Sequence, residues 1–103
     1  MVATAADFLA LANPKRGTVD HQGQLIHVRE MSVKERNEVL KLIKDSPAMV
    51  PAYLVRCCVT DANGKPLFSE SDADKLAAAA PAVVDLVATE VMKLSGMNND
   101  PND

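Results

Sequence analysis

Gly23-Gln24-Leu25-Ile26-His27-Val28-Arg29-Glu30-Met31-Ser32-Val33-Lys34-Glu35-Arg36 contains a change of period. Up to Val28, apolar and polar residues interleave as in a half-buried strand, whereas beyond Ser32 the apolar spacing becomes helical. The switch falls on Ser32-Val33-Lys34-Glu35. This is a capping box: the serine hydroxyl accepts an orphan N–H and the glutamate reaches back to the cap's own N–H. A helix is therefore predicted from Val33 to near Asp45. Its Val33, Val39, Leu40, Leu42 and Ile43 share one broad face interrupted by Arg36, while Lys34, Asn37, Glu38 and Lys41 point the other way. Upstream, Gly17, Val19 and Gln22-Gly23 make residues 15–31 two short strands around a glycine-containing turn. The fold expected is mainly α with a small β-hairpin, an α+β chain packed as a compact single-domain helical bundle.

Outward from this block, Ala3 to Ala12 reads as a short helix with Ala6, Phe8, Leu9 and Leu11 clustered, stopped by Asn13-Pro14. Pro47 and Pro51 bracket an apolar connection, and each proline disfavours helical angles in the residue before it. Ala52 to Val59 is apolar almost all round, which fits a buried strand or a helix. Pro51 suits a first helical turn and favours a central helix. Thr60 to Ser71 is a polar connection in which Asp61-Ala62-Asn63-Gly64 predicts a tight turn with Gly64 at positive φ. Two overlapping caps, Ser69 with Asp72 and Ser71 with Asp74, precede a helix carrying Lys75 to Ala80. The small side chains of Ala77 to Ala80 suggest a helix–helix contact. Pro81 opens or kinks the next segment. There Val83, Val84, Leu86, Val87, Val91 and Leu94 form the expected buried stripe, ended by Gly96. The chain thus divides into an N-terminal segment (1–14), short helix or disordered, one globular domain (15–96) and a disordered tail (97–103).

Composition narrows the function classes. The chain has 103 residues, a formal net charge of −3 and only 3% aromatics, so a core of Val, Leu, Ile, Met and Ala is expected, and no basic field draws it to nucleic acid. No apolar run is long enough for a bilayer and the first residues do not read as a signal peptide, so a cytoplasmic protein is expected. Cys57 and Cys58 are neighbours, cannot close a useful loop and read as buried small hydrophobes. No triad, phosphate loop or paired catalytic carboxylate motif occurs, so the expectation is a non-enzymatic protein with no cofactor and no metal. Asp61 to Asp72 superficially resembles a calcium loop, but Lys65 takes a ligand position and Pro66 replaces the required glycine. A calcium-responsive regulator would melt at a calcium-dependent temperature.

The block around Arg29-Glu30-Met31-Ser32 and the stretch Asp61-Ala62-Asn63-Gly64-Lys65-Pro66-Leu67-Phe68-Ser69-Glu70-Ser71-Asp72, followed by a helix containing Leu76, together resemble a known family. It comprises the small tail assembly chaperones of long-tailed bacteriophages and prophages, related to the lambda G-type and HK97-type proteins. The resemblance spans residues 15 to 96. It implies a mostly helical fold with a small β element that binds the tape measure protein and tail tube subunits during assembly, then leaves. It also suggests self-association into a homo-oligomer, and absence from the mature virion. On this basis Met31, Met49, Val50 and Phe68 are the candidate partner contacts. Ser32, Glu35, Asp61, Gly64, Ser69 and Asp72 are the residues expected to hold turns and caps. The competing expectation is a structural tail completion or connector protein that stays in the particle.

Overall fold

The computed structural model describes residues 1–97. Its order is α1 (Ala5–Leu11), β1 (Arg16–His21), β2 (Gln24–Arg29), α2 (Val33–Asp45), α3 (Val50–Cys58), β3 (Val59–Thr60), α4 (Ala73–Ala77) and α5 (Pro81–Leu94), with 3-10 turns at Pro47–Met49 and Glu70–Asp72. The result is α+β and mainly helical. β1 and β2 form the expected hairpin, with Arg16 opposite Arg29 and His21 opposite Gln24. Its two-residue turn, Gln22 at φ 52 and Gly23 at φ 81, has both central residues at positive φ, a turn whose twist matches the right-handed twist of the flanking strands.

The capping box forms where the sequence places it. Ser32 Oγ accepts from the Glu35 N–H at 3.2 Å, and Glu35 Oε1 accepts from the Ser32 N–H at 2.9 Å. Replacing Ser32 by alanine strands one of these donors and should cost about 1 kcal/mol, read as a lower melting temperature.

Several expectations need correction. The strand-or-helix ambiguity at Ala52 to Val59 resolves into both: α3 ends at Cys58, and Val59-Thr60 continues as a third strand, with Val28 opposite Val59 and His27 opposite Thr60. Val50 is helical at φ −61, ψ −49 despite preceding Pro51, because the 3-10 turn from Pro47 runs directly into α3. Of the α2 stripe only Val39 is buried and Leu42 half-buried, whereas Val33, Leu40 and Ile43 face solvent. The helix is covered on one narrow flank by α3 instead of being wrapped. In α5, Val84, Val87, Ala88 and Val91 are buried but Leu86 is exposed. Ala77 to Ala80 is no helix–helix contact: α4 stops at Ala77, and the alanines form an exposed link to Pro81. Of the two caps, only the Ser69–Asp72 pair forms, since α4 begins on Asp72 without a side-chain bond.

The core lies where α3 crosses α5 beneath the hairpin. Val28, Val39, Leu54, Cys58 and Val91 are fully enclosed there. Met97 folds back on this core, its N–H donating to the Met92 carbonyl at 2.8 Å, so the first residue assigned to the tail packs with the body. The rest of the expected tail lies outside the described residues. Among those described, no helix is long and apolar enough to cross a membrane.

Candidate functional site

The turn after β3 is built from its own side chains. Asp61 Oδ1 accepts from the Asn63 N–H at 2.8 Å and the Lys65 N–H at 3.0 Å, while the Gly64 N–H donates to the Asp61 carbonyl. Gly64 takes φ +89, as the turn requires. The carboxylate that would open a calcium loop is thus engaged in folding the turn. The Leu67 N–H then donates back to the Val59 carbonyl, which fixes Leu67 and Phe68 beside the sheet.

This placement creates an apolar groove of about 280 Å³ between β2, β3, α4 and α5. Val55, Val59, Thr60, Leu76, Val84 and Val87 are its buried lining, Ile26, Phe68 and Val83 are half-buried, and Leu25 and Leu67 stand exposed at its mouth. His27 is the one ionisable side chain in the lining. A concave apolar surface with so few polar groups can exclude water from an apolar side chain and offers little for chemistry.

The four candidate contacts separate. Phe68 lines the groove and Met49, exposed, lies beside Ala52 and Tyr53 on the opposite side of α3. Met31 and Val50 are not exposed contacts: both are buried in the core, Met31 at the strand-to-helix junction and Val50 in the first turn of α3, where it also lines a separate concavity between α3 and α5. Leu25 and Leu67 are not among the contacts expected from the sequence. An available signal was Leu67-Phe68, two adjacent large apolar residues in an otherwise polar connection, where neither is needed for a helical or strand period.

The cysteines sit behind this surface. Cys58 is buried in the core, and burial pushes its thiol up to about 12. Burial also raises the Cys57 thiol, outweighing the lowering contact with Tyr53. A thiol held protonated is a poor nucleophile, and the two side chains pack in the core and against it.

No protein-family model matches the chain, and no curated protein matches it. A solved structure does: that of the bacteriophage HK97 tail assembly chaperone, with a TM-score of 0.67 and 16% identity, covering 82% of this chain and 88% of that one. The likeness is one of fold.

Proposed function

We propose that this chain, sharing its fold with a phage tail assembly chaperone, is itself a non-enzymatic tail assembly chaperone. In this reading residues 15–96 are the working domain. They bind the tape measure protein, and tail tube subunits, in the host cytoplasm and release them before the particle is complete. The observation that supports the reading is a fold shared over most of both chains. The groove gives it a physical means. A long helical partner with apolar stripes aggregates when bare, and an apolar groove accepts the side chains of one face of a helix, with Phe68 and Leu67 as the contacts on this chain. Met49 extends the contact on the other side of α3.

The test is co-expression with the tail proteins encoded beside it, followed by pull-down and by fractionation of purified tails. The expected result is a tape measure protein that stays soluble and co-purifies with this chain, which is itself absent from finished tails. Leu67 is exposed, so Leu67→Asp should leave the melting temperature nearly unchanged while the tape measure protein precipitates. A chain that binds no tape measure protein but is retained in purified tails is a structural component, and the chaperone reading fails.

A further inference from the structure

The outer face of α2 is unoccupied and chemically two-sided. Val33, Leu40 and Ile43 are 70%, 50% and 42% exposed, and their i, i+7, i+10 spacing sets them along one side of the helix, with the exposed Arg36 between Leu40 and Ile43. The neighbouring row on the solvent side is Lys34, Lys41 and Lys44, all exposed. The acids lie off the apolar side, Glu38 and Asp45 on the far flank of the lysines, four positions on from Lys34 and Lys41. Glu35 is bound to Arg29, Glu38 sits beside Leu42 and Arg56, and Asp45 falls beyond the lysines. Among the described residues none of the three lysines is within ion-pair distance of a carboxylate. An apolar row holding Arg36 and edged on its solvent side by lysines therefore stands on a chain whose net charge is −3.

We propose that this face docks an acidic amphipathic helix of a partner protein. The partner's apolar stripe would lie on Val33, Leu40 and Ile43, and its flanking Asp or Glu side chains would meet the lysine row. A two-fold antiparallel pairing of α2 with a second copy would instead set lysine row against lysine row, which charge repulsion disfavours. The face shares no residue with the groove, so its test is independent of the chaperone reading.

The experiment titrates the full chain into a labelled synthetic three-heptad helix with Leu at a and d and Glu on both flanks, followed by fluorescence anisotropy at neutral pH and low salt. Matched peptides carry Lys for Glu, or the same residues in shuffled order. Saturable binding of the Glu peptide alone is expected, weakening as salt is added. Combined Lys34→Glu, Lys41→Glu and Lys44→Glu should weaken it about tenfold or more. Leu40→Asp should abolish it, with the melting temperature of both variants close to wild type. Three outcomes overturn the proposal: no saturable binding of the Glu peptide, equal binding of the Lys or shuffled peptide, or binding undiminished in either variant. So does dimerisation of the chain that Leu40→Asp removes, which would make the face an interface between copies.

Discussion

Arg29→Met should lower the melting temperature by about 10–20 °C, the equivalent of about 2–3 kcal/mol in a domain this size. The guanidinium ties three elements together. Nη1 donates to Glu35 Oε1 at 2.7 Å and to the Glu30 carbonyl, while Nη2 donates to Glu35 Oε2 and to the Cys57 carbonyl, both at 2.8 Å. The end of β2, the start of α2 and the last turn of α3 thus share one side chain. The two side chains are 21% and 17% exposed, so water screens the pair far less than a surface bridge, though enough to place the cost below that of a fully buried one. Methionine fills the stem's volume but leaves the Glu35 carboxylate and the Cys57 carbonyl without their donor. Lysine should rescue little, because a point charge cannot reproduce the two-pronged geometry. Adding Glu35→Gln to Arg29→Met should recover part of the loss by removing the unpaired charge. A single variant melting within about 2 °C of wild type would mean that the clasp contributes nothing to stability.

The same pair sets an acid limit. Burial alone would raise the Glu35 carboxyl, but the Arg29 hydrogen bonds, the Ser32 N–H and the Arg29 charge outweigh it and hold the group below its ordinary value of 4.5. A carboxyl whose pKa is lower in the folded state stabilises the fold fully above its unfolded value. That contribution fades as the pH falls through the folded one. Stability should therefore decline below about pH 4.5, and Arg29→Met should flatten that decline.

These residues also mark how far the sequence could be followed. The hairpin turn, the Ser32 cap and the Gly64 turn are local: each is fixed by residues within four positions, so spacing alone locates them. Arg29 was visible only as part of a resemblance, since nothing near it in sequence says that its guanidinium reaches the Cys57 carbonyl 28 positions on. The wheel of α2 misled for a related reason. Periodicity finds the apolar side of a helix but not how much neighbouring surface arrives to cover it, and here α3 covers only the Val39–Leu42 flank. Met31 and Val50 erred in the opposite direction. Each lies at an element boundary, where no stripe claims it, and the core enclosed both through contacts with distant segments. The groove was legible in part through Phe68, but its opposite wall comes from β2 and α5, which only the tertiary fold brings together.

Gly64→Val should cost about 2 kcal/mol and lower the melting temperature by about 8–16 °C. Gly64 sits at φ +89, where a β-branched residue is strained whatever space surrounds it. The space is also limited: a Cβ would stand 3.3 Å from Arg16 Nη2, whose hydrogen bond to the Ala62 carbonyl, 3.0 Å, holds the turn against β1. The two sources of cost are separable. If the backbone dominates, Gly64→Asn should restore much of the stability, since asparagine visits positive φ more readily, and Arg16→Ala should add its own cost independently. If the contact dominates, Arg16→Ala should instead relieve part of the valine penalty. An unchanged melting temperature in Gly64→Val would remove the turn assignment altogether. The effect should extend to binding, because the turn leads into Leu67, whose N–H is anchored on Val59, and Leu67-Phe68 forms one side of the groove. At a temperature where the valine variant is still folded, it should hold the apolar partner less well than wild type. Full retention of that partner would mean that the groove does not depend on how this turn is set.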